Sequence, residues 1–328
     1  MNSKKPVFFD QALKIAIEKA KTQVSILGNE GTLVRDLRGR IRVLFPGKRD
    51  DYTGEREIQL NAFLEDLSEA LGVYGFTPER ISIFREDLAH NEQLISSSSQ
   101  RLLIDEGGVK IWLIDRQITG QDWLLQPFER HTQTRRVAFF SIKGGVGRST
   151  ALIIWAWHLA QQGKKVLIFD LDLESPGVSS TLLPNEQLSD FGIVDWFVED
   201  GVGQAELIAS EMVAPSPLAK NMSGEIKIVP AFGLKTGDYL PKLARCYTEI
   251  SNGKIQSWGD RLQRLVESIE LAEKPDIVLL DSRAGIHDIA AVVVTRMSAE
   301  VFLFALDSPQ TWSAYSFLFR CLKQHPRV

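Results

Sequence analysis

Residues 143–150, Lys-Gly-Gly-Val-Gly-Arg-Ser-Thr, bring glycines, cations and hydroxyls together in one short stretch. An apolar run, Val137-Ala-Phe-Phe140, precedes them, and Ala151 to Leu159 follows without Gly or Pro. This order predicts a buried strand, a glycine turn and the first turn of a helix. Gly144, Gly145 and Gly147 permit backbone angles that a side chain forbids. A glycine turn feeding a helix N-terminus aims several N–H groups at one spot, and the helix dipole favours an anion there. The general phosphate-loop pattern is G-x-x-x-x-G-K-[ST]. Gly147 and Ser149 fit it, while Ile142 replaces the first glycine and Arg148 the lysine. A strand–helix turn without a ligand is the plain alternative.

Carboxylates downstream supply the second half of a phosphate-handling site. Asp276-Ile-Val-Leu-Leu280 reads as a buried strand ending in Asp281, the form of a Walker B element that holds Mg²⁺ beside phosphates. Ser149 offers a hydroxyl ligand to the same ion. Val166-Leu-Ile-Phe169 reads as another strand, with Asp170, Asp172 and Glu174 at its C-terminal end. In parallel sheets, ligands bind at that edge.

Lys143–Thr150 resembles the deviant Walker A loop of the ParA/MinD family of P-loop ATPases, K-G-G-V-G-K-[ST]-T. Asp281-Ser-Arg-Ala-Gly-Ile286 resembles the family's D-S-P-A-G segment, with Arg283 in place of Pro, and Asp170-Leu-Asp172 resembles its D-x-D switch segment. The likeness spans about 136–315. It implies that main-chain N–H groups of Gly144, Gly145, Val146, Gly147, Arg148, Ser149 and Thr150 cradle the phosphates of ATP. It implies that Lys143 reaches the nucleotide of a partner subunit in an ATP-dependent homodimer, acting as an arginine finger does. Asp172 is expected to orient the attacking water; Ser149, Asp170 and Asp281 are expected to organise Mg²⁺. Arg148 keeps the usual lysine's charge but has a longer, planar fork, so slow hydrolysis is expected. Glu174-Ser-Pro-Gly177 departs from the partition-protein sequence after D-x-D, and this loosens the inference about the partner surface there.

The elements that must position these groups alternate. Beyond residue 136 the order is strand, helix (149–162), strand (166–169), an inserted helical region (191–213), strand (226–229), mainly helix (237–273), strand (276–280), strand (301–304) and helix. This is an α/β, mostly parallel sheet with helices on both faces. Before it, 1–130 read as a small α+β domain: helix 8–24, strand 41–45, helix 55–72, strand 81–84, helix 88–104 and strand 109–114. Asp122-Trp123 and Pro127-Phe128 read as connecting chain, and Arg135-Arg136 as the close of a linker starting near Phe128. The charged strand ends Arg85, Glu86, Asp87, Asp115 and Arg116 line a site or are simply solvated. Trp155, Trp157 and Trp196 invite base stacking, but core packing explains them better. The chain ends on a helix where family domains continue, so a domain truncated at its C-terminus is expected.

Composition excludes several classes. The chain has 328 residues, is 44% hydrophobic and carries a net charge of −4, which exerts no global pull on nucleic acid or anionic membrane. DNA as a partner therefore rests on resemblance alone. Cys246 and Cys321 form neither a disulfide framework nor a zinc pattern, and the five histidines are scattered. No apolar stretch approaches the roughly 18 residues of a membrane span. A cytoplasmic, Mg²⁺-dependent ATPase switch is the expectation, with a protein partner engaged through the N-terminal domain or the switch surface. The alternatives are a nucleotide-binding scaffold with little turnover, an ATPase subunit controlling an effector in a bacterial defence system, and a small-molecule kinase or ligase.

Overall fold

A computed structural model describes residues 6–28, 30–88, 100–106, 109–116, 121–248, 250–251 and 255–323. The chain divides into two compact units, Met1–Gln121 and Asp122–Val328.

In the first unit, α1 (Phe9–Lys21) and α2 (Val24–Leu27) precede the hairpin β1 (Glu30–Arg35) and β2 (Ile41–Phe45). Then come α3 (Glu55–Leu71), α4 (Pro78–Ile81), β3 (Ser82–Phe84), β4 (Gln100–Glu106) and β5 (Val109–Asp115). The sheet order is β3-β2-β1-β5-β4; β1/β5 and β2/β3 are parallel, while β1/β2 and β4/β5 are antiparallel. Ala12, Ala16 and Ala20 recur every four residues on α1 and are buried with Leu60, Phe63, Leu64, Leu67 and Leu71 of α3. The helix expected over 88–104 is corrected at its end: Gln100–Glu106 is a strand paired with β5. Its β-branched and aliphatic neighbours supply a ladder that outweighs helical propensity. The rest of that segment, with Ser96 to Ser99, lies outside the described residues. β1, which alternates around Gly31, escaped the sequence reading.

The second unit contains β6 (Arg135–Ser141), α5 (Arg148–Gln161), β7 (Lys165–Leu171), α6 (Val178–Leu182) and α7 (Ile193–Asp200). It continues with β8 (Ala214–Pro215), β9 (Glu225–Val229), α8 (Tyr239–Cys246) and the ribbon β10 (Ile250–Ser251) with β11 (Ile255–Gln256). It closes with α9 (Trp258–Glu273), β12 (Ile277–Ser282), α10 (Asp288–Ala291), β13 (Glu300–Phe304) and α11 (Pro309–Leu322). The six-stranded sheet runs β13-β6-β12-β7-β9-β8, parallel throughout except β8/β9. Period-two alternation splits its core. Val137, Phe139, Val166, Ile168, Ile277 and Leu279 pack with Leu152, Ala156 and Ala160 of α5. Ala138, Leu167, Phe169, Val278 and Leu280 pack with Leu262, Leu265, Val266 and Ile269 of α9. Helices thus cover both faces.

Residues 122–134 are not a linker. Trp123 is buried with Phe140 and Ala290. The Phe128 N–H donates to the Arg296 carbonyl at 2.8 Å, and the Arg296 guanidinium lies 4.0 Å from the Phe128 ring centre. Arg136 does not close a linker either: it is a buried residue of β6, with Nε and Nη2 donating to Glu270 at 2.7 and 2.8 Å. Burying two large aromatics and an ion network fastens this polar-looking segment down. Trp196 is buried and Trp155 packs on Phe139 and Phe302, but Trp157 is 38% exposed, so core packing does not account for it.

Candidate functional site

The glycine loop joins β6 to α5. Gly145 and Gly147 have φ of 73° and 82°, left-handed values that favour glycine. Gly147 is also the N-cap position of α5, so the first turn's N–H groups face the loop. A Cβ added at Gly144, Gly145 or Gly147 meets nothing within 4 Å, so the loop borders open space. Val146 and Ser149 are half-buried and Thr150 is exposed. Lys143 is exposed, its Nζ 3.4 Å from Oε1 of Gln310 at the start of α11.

The carboxylates arrive by register. Asp281 on β12 stands opposite Asp170 on the neighbouring parallel strand β7. Both share the parity of the residues that pack on α5, so both point to the face where the loop begins. Asp170 is fully buried; its Oδ2 accepts from the N–H and hydroxyl of Ser179, at 3.0 and 2.5 Å. Its Oδ1 has no partner among the described residues. Burial, then the Asp281 charge, pushes the Asp170 carboxyl up to about 7. Burial also raises Asp281, against the opposing pull of Arg148 and the Ser149 hydroxyl.

Arg148 is not turned to the open loop. It is buried, with Nε donating to Asp281 Oδ1 at 2.8 Å. Its two outer nitrogens lie 3.4 Å from Ser141 Oγ and from Asp172 Oδ2, both long contacts. The Ser149 hydroxyl donates to Asp281 Oδ2 at 2.8 Å. Ser149, Arg148, Asp170, Asp172 and Asp281 therefore form one cluster beneath the loop, and Lys143 stands apart from it.

Several participants lacked a sequence signal. Ser141 and Ser179 contact Arg148 and Asp170 through strand-end and helix-start geometry that no spacing announces. Arg283 forms an ion pair with Glu174. Two of the residues that depart from the resembled pattern thus meet, tying the segment after β12 to the one after β7. The Tyr239 hydroxyl donates to the Leu173 carbonyl, holding the same segment. His287 caps α10, its Nδ1 accepting from the Ala290 N–H at 3.5 Å. Burial, then the Arg283 charge, lowers its pKa to about 4. Arg85 side-chain placement and residues 117–120 lie outside the described residues. Asp115 pairs with Arg35 of β1, and Glu86 and Asp87 pair with Arg49, so these strand ends are engaged in ion pairs.

The family model described as "CobQ/CobB/MinD/ParA nucleotide binding domain" matches residues 137–302. The antiactivator FleN of Pseudomonas aeruginosa is 26% identical over 187 residues, covering 56% of this chain and 55% of its own length. This chain thus spans little more than half of that relative. Among solved structures, a plasmid partition protein from Borrelia burgdorferi aligns with TM-score 0.42 and 16% identity, covering 59% of this chain and 74% of that one. Cobyrinic acid a,c-diamide synthase from Mycobacterium smegmatis, with bound ATP analog and magnesium, aligns with TM-score 0.43 and 18% identity over 58% and 67% of the two chains.

Proposed function

This chain belongs to the CobQ/CobB/MinD/ParA nucleotide-binding family, and on that premise we propose that it is a cytoplasmic Mg²⁺-dependent ATPase switch. ATP brings two copies together, and the state of the pair controls a partner. One observation carries the reading: Ser149, Asp170, Asp172 and Asp281 converge beside an open glycine loop, with one buried carboxylate oxygen left without a partner.

The residues present fit both groups. Orphan N–H donors of Gly144 to Thr150 around open space suit phosphates. The unpartnered Oδ1 of Asp170, beside Asp281 and the Ser149 hydroxyl, suits a hard cation. Bound Mg²⁺ supplies charge neutralisation at the phosphoryl oxygens. Asp281 and Ser149 hold it, and Asp170 fixes its shell. Asp172, at the mouth of β7, orients the water. Lys143 lies free of this cluster and extends toward the nucleotide of the second copy. The Arg283–Glu174 pair and the Tyr239 bond hold the segment after Asp172 in place. That segment and the first unit are the surfaces offered to the partner. FleN is by name an antiactivator, which supports control of a partner as the output.

Arg148 favours a second reading. Its guanidinium neutralises Asp281 and reaches Asp172, the two carboxylates that turnover needs. A chain that keeps this clamp with nucleotide bound is a scaffold that holds ATP and rarely hydrolyses it.

Solution mass by light scattering on Asp172→Ala, with Mg²⁺ and ADP or ATP, tests the switch. The expected result is a monomer in ADP and a dimer in ATP, reverting when Lys143→Ala is added. A mass indifferent to nucleotide, despite measured ATP binding, overturns it. Turnover separates the readings: Asp172→Ala lowers it about 100-fold or more in a switch, the scale of losing one positioned catalytic group. In a scaffold, wild type is already as slow as the variant.

A further inference from the structure

The first unit carries a cationic cavity that the nucleotide chemistry leaves unused. It measures about 420 Å³ and is lined by Arg40, Ser68, Phe76, Thr77 and Arg80, with the backbone of Gly72 and Gly75. This volume lies within the range of small-molecule sites. Arg42, on β2, stands beside it: the guanidinium carbons of Arg40 and Arg42 each lie 4.1 Å from the centre of the Phe76 ring. The ring is anchored, since it packs on the core of the unit and the Ser68 hydroxyl donates to the Phe76 carbonyl at 2.6 Å. Arginines are thus gathered on a fixed platform rather than on flexible stems.

Their charge is only partly balanced, by Asp36. Asp36 is engaged by Arg40, whose Nη2 lies 3.1 Å from Oδ2, and it also accepts from the N–H groups of Arg38 and Arg40. Among the described residues, no carboxylate lies within ion-pair distance of Arg42 or Arg80. Glu79, next to Arg80 in the chain, accepts from the Thr77 side chain. Burial, then the Arg80 charge, lowers the Arg42 pKa below the ordinary arginine value, while the Asp36 charge pulls the other way. One carboxylate against three guanidinium groups leaves a net positive charge, and an anion with several oxygens offsets it.

We propose that Arg40, Arg42 and Arg80 around Phe76 form a binding site for a small phosphate ester carrying at least two negative charges. Guanidinium forks match phosphate oxygens two at a time, and three forks accept a doubly charged group with oxygens to spare. The positive charge is confined to three side chains, one of them already paired with Asp36. This favours a compact ligand over a long polyanion such as RNA, which needs an extended basic track. The site gives the first unit an input of its own, separate from the glycine loop.

Hydrogen–deuterium exchange on the full chain, with and without millimolar pyrophosphate, tests this by location. Pyrophosphate is expected to slow exchange in 36–45 and 72–81. Arg42→Gln with Arg80→Gln is expected to raise the concentration needed by at least roughly tenfold, the value of one charged hydrogen bond. Arg80→Gln alone, at an exposed position, gives the same direction without risk to folding. Protection at 143–150 reads the glycine loop separately and is unchanged in both variants. Unaltered exchange in 36–45 and 72–81 overturns the proposal, as does protection that survives both variants. Protection there by a single-stranded RNA 20-mer but not by pyrophosphate overturns it in favour of a polyanion.

Discussion

Arg136 and Arg148, two of the arginines buried among carboxylates in the second unit, are held differently. Arg136 is a closed network. Three of its nitrogens donate to Glu270, to Gln263 Oε1 at 3.0 Å and to the Met297 carbonyl at 3.1 Å. Glu270 also accepts from Thr132, and Glu267 from Gln263 and the His131 N–H. Arg148 makes one short bond, to Asp281, and two contacts at 3.4 Å; nearby, Asp170 keeps a buried oxygen without a partner. Hydrogen-bond satisfaction fixes a structure, whereas an unpartnered buried carboxylate oxygen leaves an acceptor for a cation or a water. The Arg136 cluster reads as architecture, and the Arg148 cluster is the one proposed to hold Mg²⁺ and phosphate.

The largest effect should come from breaking the closed network. Glu270→Ala leaves Arg136 charged and buried with only the Glu267 carboxylate at 3.8 Å, and should cost about 3–5 kcal/mol in urea unfolding followed by tryptophan fluorescence. Added Mg²⁺ should restore none of it. Arg148→Met should cost less, about 2–3 kcal/mol, because Asp281 keeps the Ser149 hydroxyl but loses its counter-charge. Here millimolar Mg²⁺ should recover part of the loss; if both variants respond alike to Mg²⁺, the distinction between the clusters fails.

The next test reverses sign. Asp170→Asn keeps an acceptor for Ser179 and removes a charge that burial and Asp281 both oppose. In metal-free buffer it should gain about 1–2 kcal/mol, since sites held for function are commonly destabilising. An equal loss would place Asp170 with the architecture. The smallest effect concerns His287, near the same sheet edge. Its folded pKa of about 4 lies below its unfolded value. The unfolded chain therefore binds the extra proton, and stability should be present above about pH 6.5 and fall as pH drops toward 4. His287→Asn keeps a helix-capping acceptor and cannot titrate. Its unfolding midpoint should fall less between pH 7 and pH 5 than that of wild type.

Much of the second unit was legible because its signals are local. Val166–Phe169 and Ile277–Leu280 are apolar runs that only a doubly covered strand explains, and a glycine-rich turn between strand and helix has few uses. The first unit was less legible. β4 looked helical because its strand character depends on pairing with β5. Residues 122–134 looked like a linker because Ala290 beside Trp123, Arg296 beside Phe128 and Glu270 beside Thr132 lie more than a hundred positions further along the chain.

The direction of Arg148 marks the boundary. The sequence by itself determined that a glycine loop, two hydroxyls and acids at strand ends belong to one nucleotide-binding unit, because backbone freedom and period-two alternation are properties of neighbours in the chain. Only the tertiary structure decided that Asp281 and Asp170 stand opposite each other, that Arg148 turns to Asp281, and that Arg283 meets Glu174. Strand register and buried charge balance are set by residues brought together from distant positions, and no local spacing records them.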